Sequence, residues 1–170
     1  MKLAARVLLL SIVLSVASPL GFSQAAKDQT NEKNLYAVAL FASLRQMDKE
    51  WSQYADSSPG KIRTDYHHMV VEEDDTTYKL PTSEGDYSVE YLNDGKLRAR
   101  RAVLGKDFRS LKVFPARNDG ANLTIQVSVY WVGLKKRMLM FGLSDWSVVT
   151  FRYDCEKKEF VVADLKLGGI

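Results

Sequence analysis

The stretch "EYLNDGKLRARR", Glu90–Arg101, decides how the middle of this chain is laid out. Four bases fall within six positions, directly after an Asn-Asp-Gly turn signal. A β-hairpin with a three-residue loop at Asn93-Asp94-Gly95 and Gly95 left-handed pairs Leu92 with Lys96. Outward from there, Tyr91 meets Leu97, Glu90 meets Arg98, Val89 meets Ala99 and Ser88 meets Arg100. Opposite residues share a face, so Tyr91, Val89, Leu97 and Ala99 are apolar on one side and Glu90, Arg98, Ser88 and Arg100 are polar on the other. A two-residue Asp94-Gly95 turn sets Glu90 against Ala99 and Val89 against Arg100, which mixes the faces. The pattern therefore predicts the three-residue hairpin, with Arg101 falling opposite Tyr87, where it can stack on the ring or line a pocket.

Charge on either side fits paired strands. Residues 72–94 hold eight acids and one Lys, a net −7, and residues 96–117 hold eight bases and one Asp, a net +7. Opposite blocks on neighbouring strands neutralise one another. The competing expectation is an anion-binding strip carried by Arg98 and Arg100. Like-signed runs more often form solvated faces, so pairing is the preferred expectation.

Upstream, the helical period takes over. Ala37, Leu40, Phe41, Leu44, Met47, Trp51 and Tyr54 recur at spacings of three and four, which predicts an amphipathic helix over about 31–55. Thr30 or Asn31 can cap its start, and Ser57-Ser58-Pro59-Gly60 ends it. Asp48 and Arg45 interrupt any strict heptad, which argues against a coiled coil. Further upstream, Lys2 and Arg6 precede or enter the apolar run Val7–Ala17, and Ser23-Gln24-Ala25 offers a small-residue cleavage site. That is the layout of a secretory signal peptide over 1–25, cut after Ala25, with 26–30 as a flexible leader. The run is too short to span a bilayer as a mature helix, which takes roughly 20 residues. The expectation is a periplasmic or secreted protein with no stable membrane insertion after cleavage.

Removal of the signal changes the charge. The chain has 24 Lys+Arg and 21 Asp+Glu, and the signal holds two of the former and none of the latter, leaving 22 against 21, or +1. Such a balance argues against nucleic-acid binding. The remaining 145 or so residues fit one domain, 31–170, large enough for a real core. Cys155 is the only cysteine, so no intramolecular disulfide forms.

Downstream, the period becomes two. Leu123, Ile125, Val127, Val129 and Trp131 alternate with Thr124, Gln126, Ser128 and Tyr130, predicting a half-buried antiparallel strand over 122–132. Gly133 to Lys136 turns the chain into 137–143, where Gly142 signals a kink or bulge. Strands follow at 146–154 and 159–167, joined by a turn at 155–158. Residues 66–72 form a further strand, and 72–77 and 80–85 are loops. The predicted class is α+β, with one long N-terminal helix packed on a curved antiparallel meander. This order of elements resembles the cystatin-like and NTF2-like α+β rolls over about 31–167, a likeness of element order alone.

Chemistry-bearing residues are sparse. His67 and His68 are the only histidines and, adjacent on a strand, point to opposite faces, so they do not chelate one metal together. Asp65 shares a face with His67, but metal-ligand spacing is absent, and Glu72-Glu73-Asp74-Asp75 lacks the spaced ligands and turn Gly of a calcium loop. No Gly-x-Ser-x-Gly, His-Glu-x-x-His or phosphate-binding loop occurs. Asn122-Leu123-Thr124 is a glycosylation sequon, relevant only on a eukaryotic secretory route. The leading expectation is a non-catalytic exported module that recognises a small ligand or a protein through a sheet face or edge. It assigns no catalytic residues, metal or cofactor, and a homodimer is compatible with it. The candidate binding residues are Asp65, His67, Arg98, Arg100, Arg101 and Tyr130. The alternative, on the NTF2-like likeness, is a cavity enzyme doing acid–base chemistry with Asp65, His67, Arg101 or Tyr130.

Overall fold

The computed structural model describes residues 34–57 and 65–169. The expected signal peptide over 1–25 and the leader over 26–30 lie outside them, as do Thr30 and Asn31. Helix α1, Leu35–Ser57, begins instead at Asn34, whose side-chain oxygen accepts the Tyr36 N–H at 3.0 Å. Its apolar stripe is buried as the spacing requires: Leu40, Phe41, Leu44 and Met47 lie against the sheet. Each such side chain stabilises the fold by about 1.5–3 kcal/mol on full burial. A buried hydroxyl contact, Ser147 to Ser43 at 2.6 Å, fixes the helix to the sheet.

The sheet has eight strands: β1 His68–Glu72, β2 Ser83–Glu84, β3 Tyr87–Leu92, β4 Phe108–Val113, β5 Arg117–Asn118, β6 Leu123–Lys135, β7 Met138–Asp154 and β8 Glu159–Gly169. Their order is β2-β3-β1-β4-β6-β7-β8, with β5 also on β6. The class is α+β as expected, and β4, β6, β7 and β8 form an antiparallel succession. The sheet as a whole is mixed, however, because β1 runs parallel to both β3 and β4. Met69-Val70-Val71 gives the reason. All three are buried, since β1 is covered on both faces, and such continuous apolar runs mark parallel interior strands.

The Glu90–Arg101 hairpin is not present. Residues Asp94–Leu104 form a helix, α2, and Gly95 sits in its first turn rather than at positive φ. Two parallel strands flanking β1 need a crossover of a dozen or so residues, which a hairpin cannot supply and a helix can. Local chemistry agrees. Asn93 is the N-cap and accepts the Lys96 N–H at 3.1 Å, Asp94 is an acid at the positive end, and Gly105 closes the helix at φ +65°. Leu92, just before the cap, and Leu97, four residues after it, share a buried cluster with Val70, which is the arrangement of a hydrophobic staple. The charge blocks still meet, through helix-on-sheet and parallel-strand contacts: Arg100 with Glu90, and Lys112 with Glu72 at 2.7 Å.

Along β6, Ile125, Val127 and Val129 are buried under α1. Trp131, on the same face, is 45% exposed, because it lies near the edge of what α1 covers. The irregularity expected near Gly142 occurs at Ser144: Tyr130 pairs with Leu143 and Val129 with Asp145, leaving Ser144 as the extra residue.

Candidate functional site

On the α1-facing side, the first residues of neighbouring strands meet the C-terminal half of α1. Tyr87 opens β3, His67 immediately precedes β1, and Arg109 of β4 pairs with Trp131 of β6. Strand alternation puts these side chains on one face. From above, α1 contributes Asp48 and Trp51.

Asp48 is 9% exposed and organises one half of the group. The Tyr87 hydroxyl donates to its Oδ2 at 3.4 Å, and the His67 Nε2 lies 3.6 Å from the same oxygen. The His67 ring stacks on Tyr87, with centroids 4.8 Å apart. Its Nδ1 is 3.1 Å from the Asp86 carbonyl, which places the proton of the neutral ring on Nδ1 and turns Nε2 toward Asp48. Burial raises the Tyr87 pKa, and the Asp48 carboxylate raises it further, so the phenol stays neutral and donating.

Arg109 organises the other half. Its guanidinium lies 5.2 Å from the Trp51 ring centre and 4.7 Å from that of Trp131, held between the two indoles. Behind them, Tyr66 is fully buried. Burial pushes its hydroxyl pKa well above the ordinary range and Asp145 adds to this, while Arg109 and the Trp51 indole only partly oppose it. Among the described residues that hydroxyl has no well-formed hydrogen bond.

Beside this group is a depression of about 190 Å³ between α1, the middle of β7 and the C-terminal end of β8. Met47, Trp51, Trp146 and Leu167 give it apolar walls, and Glu50 and Asp145 add two carboxylates. Gly168 shapes it: a Cβ there would lie 2.2 Å from the Trp146 ring, so the indole crosses β8 only because the side chain is missing. A second depression, about 230 Å³, lies on the α2 side and is lined by His68, Val70, Ser88, Glu90 and Arg100. Its polar groups are paired among themselves, His68 Nδ1 with Ser88 Oγ at 2.6 Å and Arg100 with Glu90.

The six residues singled out in the sequence are scattered over this structure. His67 belongs to the Asp48 group, and Asp65 holds its backbone, accepting the His67 N–H at 2.9 Å. Arg98, Arg100 and Arg101 are on α2: Arg98 donates to the Arg137 carbonyl at 3.4 Å, Arg100 meets Glu90, and Arg101 meets Asp107 at 2.8 Å. Arg101 lies in a helix, so it has no place opposite Tyr87. Tyr130 packs edge-on against Phe141 on the far side of the sheet. Asp48, Trp51, Arg109, Asp145 and Trp146 were not anticipated. Asp48 did carry a signal, an acid interrupting the helix's apolar repeat.

No group of three or more His, Cys, Asp or Glu among the described residues is placed to hold a metal ion. Comparison with protein-family models, curated proteins and solved structures finds no match to this chain.

Proposed function

We propose that this protein is an exported binding module that takes a small ligand in the depression between α1, the middle of β7 and the C-terminal end of β8. The observation that carries this is the combination of two indoles, Trp51 and Trp146, with the carboxylates of Glu50 and Asp145 around one concave surface. Aromatic faces and carboxylates both attract cations, and an apolar floor favours a hydrocarbon body. The ligand class is therefore a small organic cation, such as an aryl or alkyl ammonium. The lie of α1 across the antiparallel strands supports a roll of the cystatin-like or NTF2-like kind. Export rests on the N-terminal pattern, and sequencing of the chain recovered from outside the cytoplasm should begin at Ala26.

The test is a tryptophan-fluorescence titration of the protein with a panel of aryl and alkyl ammonium compounds, their neutral isosteres and their carboxylate counterparts. Saturable quenching by cations, weakened about tenfold or more in Glu50→Gln and Asp145→Asn, supports the assignment. Equal response to neutral isosteres and cations removes the charge component, and no saturable response to any panel member removes the site.

Acid–base catalysis remains the second function, favoured by one geometry: His67 Nε2 facing Asp48 with Nδ1 anchored on a carbonyl. Its mark would be turnover that disappears in His67→Gln while ligand binding persists.

A further inference from the structure

Strands β6 and β7 continue past the rest of the sheet as a two-stranded projection. Pairing of β4 with β6 reaches only to Val132, and pairing of β8 with β7 starts only at Asp145. Residues Gly133–Leu143 therefore have no flanking strand among the described residues. Tyr130–Leu143, "YWVGLKKRMLMFGL", contains no acid and three bases. Solvent-facing apolar side chains occupy both sides. Trp131, Met138 and Met140 share one face, and Leu134, Phe141 and Leu143 share the other. Met138 is 61% exposed and Phe141 43%.

The tip is basic. Lys135-Lys136-Arg137 forms it, and Arg98 of α2 reaches it through the Arg137 carbonyl. Lys136 and Arg137 hold φ of 50° and 67°, positions where Asn-Gly is the unstrained choice for a two-residue hairpin turn. Two bases are kept there against backbone preference. Asp107, beside Gly133, is neutralised by Arg101.

We propose that this projection docks the protein on an anionic phospholipid surface. A flat protein surface covers one face of a two-stranded ribbon and leaves the other in water. A fluid interface surrounds both. The long Lys and Arg side chains of a shallow tip reach back to phosphate while their stems stay apolar. Anionic headgroups supply the complementary charge. The contact is peripheral; among the described residues no helix is long and apolar enough to cross a membrane.

The lone cysteine gives a built-in control. Cys155 is exposed and follows β7 at the end opposite Met138, about 55 Å away along the strand at about 3.3 Å per residue. An environment-sensitive fluorophore is placed on native Cys155 in one sample and on Met138→Cys in a Cys155→Ser background in another. Vesicles of phosphatidylglycerol should shift the 138 label to the blue and leave the 155 label unchanged, with phosphatidylcholine giving at least tenfold weaker apparent binding. Lys135→Glu/Lys136→Glu/Arg137→Glu should weaken the response at 138 at least tenfold, and raised salt should weaken it in the parent protein. Equal shifts at both labels would place the attachment elsewhere in the chain and overturn the proposal. So would no shift at 138, or a 138 shift without vesicles accompanied by a doubled mass, which would make the occupant a second copy.

Discussion

Replacing Gly95 and Gly105 by Ala, one at a time, separates a helix from a hairpin by sign. In α2, Gly95 is two residues past the cap, and a Cβ there meets only the Asn93 Oδ1, at an ordinary 3.5 Å. Ala loses less backbone entropy than Gly on folding and is the better helix former by about 0.8–1 kcal/mol in an interior position. In the first turn about half of that is realised, so Gly95→Ala should stabilise by about 0.5 kcal/mol. Gly105 is the reverse case. Nothing lies within 4 Å of its missing Cβ, so the cost is purely that of φ +65°, about 1 kcal/mol for a residue with a side chain. The spread between the two variants is then about 1.5 kcal/mol, or about 0.7 M in urea midpoint at a slope of about 2 kcal/mol/M. Equilibrium urea unfolding followed by far-UV circular dichroism measures both. A left-handed Gly95 closing a hairpin predicts the opposite sign at that position, a loss of about 1 kcal/mol or more. Destabilisation by Gly95→Ala with an unchanged slope would refute the helix and restore the paired strands.

Four other outcomes can be measured on the same protein. Leu97→Ala should cost about 2–3 kcal/mol in urea unfolding, the low end for a buried leucine, because its small cluster can relax toward the partly exposed Phe108 and Leu139. Tyr66→Phe removes a buried hydroxyl without a well-formed partner among the described residues and should stabilise by about 1 kcal/mol; a loss of that size would mean the hydroxyl is satisfied. Burial raises the Tyr91 pKa from 10.0 to about 12, so folding favours the protonated phenol; stability is fully present below pH 10 and falls as pH rises toward 12. Tyr66 adds in the same direction, so Tyr91→Phe should flatten part of the alkaline loss seen in pH-dependent unfolding. Gly168→Ala forces the Trp146 indole off β8 and should both lower the thermal midpoint and change the tryptophan emission; an unchanged emission would contradict the contact.

The antiparallel half of the sheet was legible because it obeys one rule. Ile125, Val127 and Val129 alternate with polar residues, and a strand covered on one face has no other way to sort them. Met69-Val70-Val71 obeys a different rule, that of a strand covered twice, and three residues are too few to show it. Its second cover is α2, so misreading α2 and missing the parallel pairing are one error. Asn-Asp-Gly is both a hairpin turn and a helix start, and alternation over Val89–Ala99 imitated a strand pair. The deciding signals lay outside that window: Gly105 as a C-cap, and the Leu92–Leu97 staple across Asn93.

The site was less legible for a geometric reason. Trp51, Arg109 and Trp131 stack in space across 80 positions of sequence, and no local spacing encodes that meeting. What sequence does hold are residues that break their own element's pattern. Asp48 interrupts the apolar repeat of α1, Arg109 is the second residue of a strand otherwise buried at Ser110, Leu111 and Val113, and Trp131 continues an inward face into solvent. Each of these would be costly as an isolated buried or exposed group. The structure answers the first two with partners, His67 and Tyr87 for Asp48 and two indoles for Arg109. Trp131 is answered on one face only, by Arg109, and its outer part joins Met138 and Met140 on the projecting hairpin. One side chain thus links the buried polar group to the exposed apolar projection. A ligand that displaces the Trp51 indole from Arg109 would be felt at Trp131, so occupancy of the depression and affinity for an anionic surface should be coupled, each altering the other by the same factor. Vesicle titrations with and without saturating organic cation measure that factor, and a ratio of one would show the two sites to be independent.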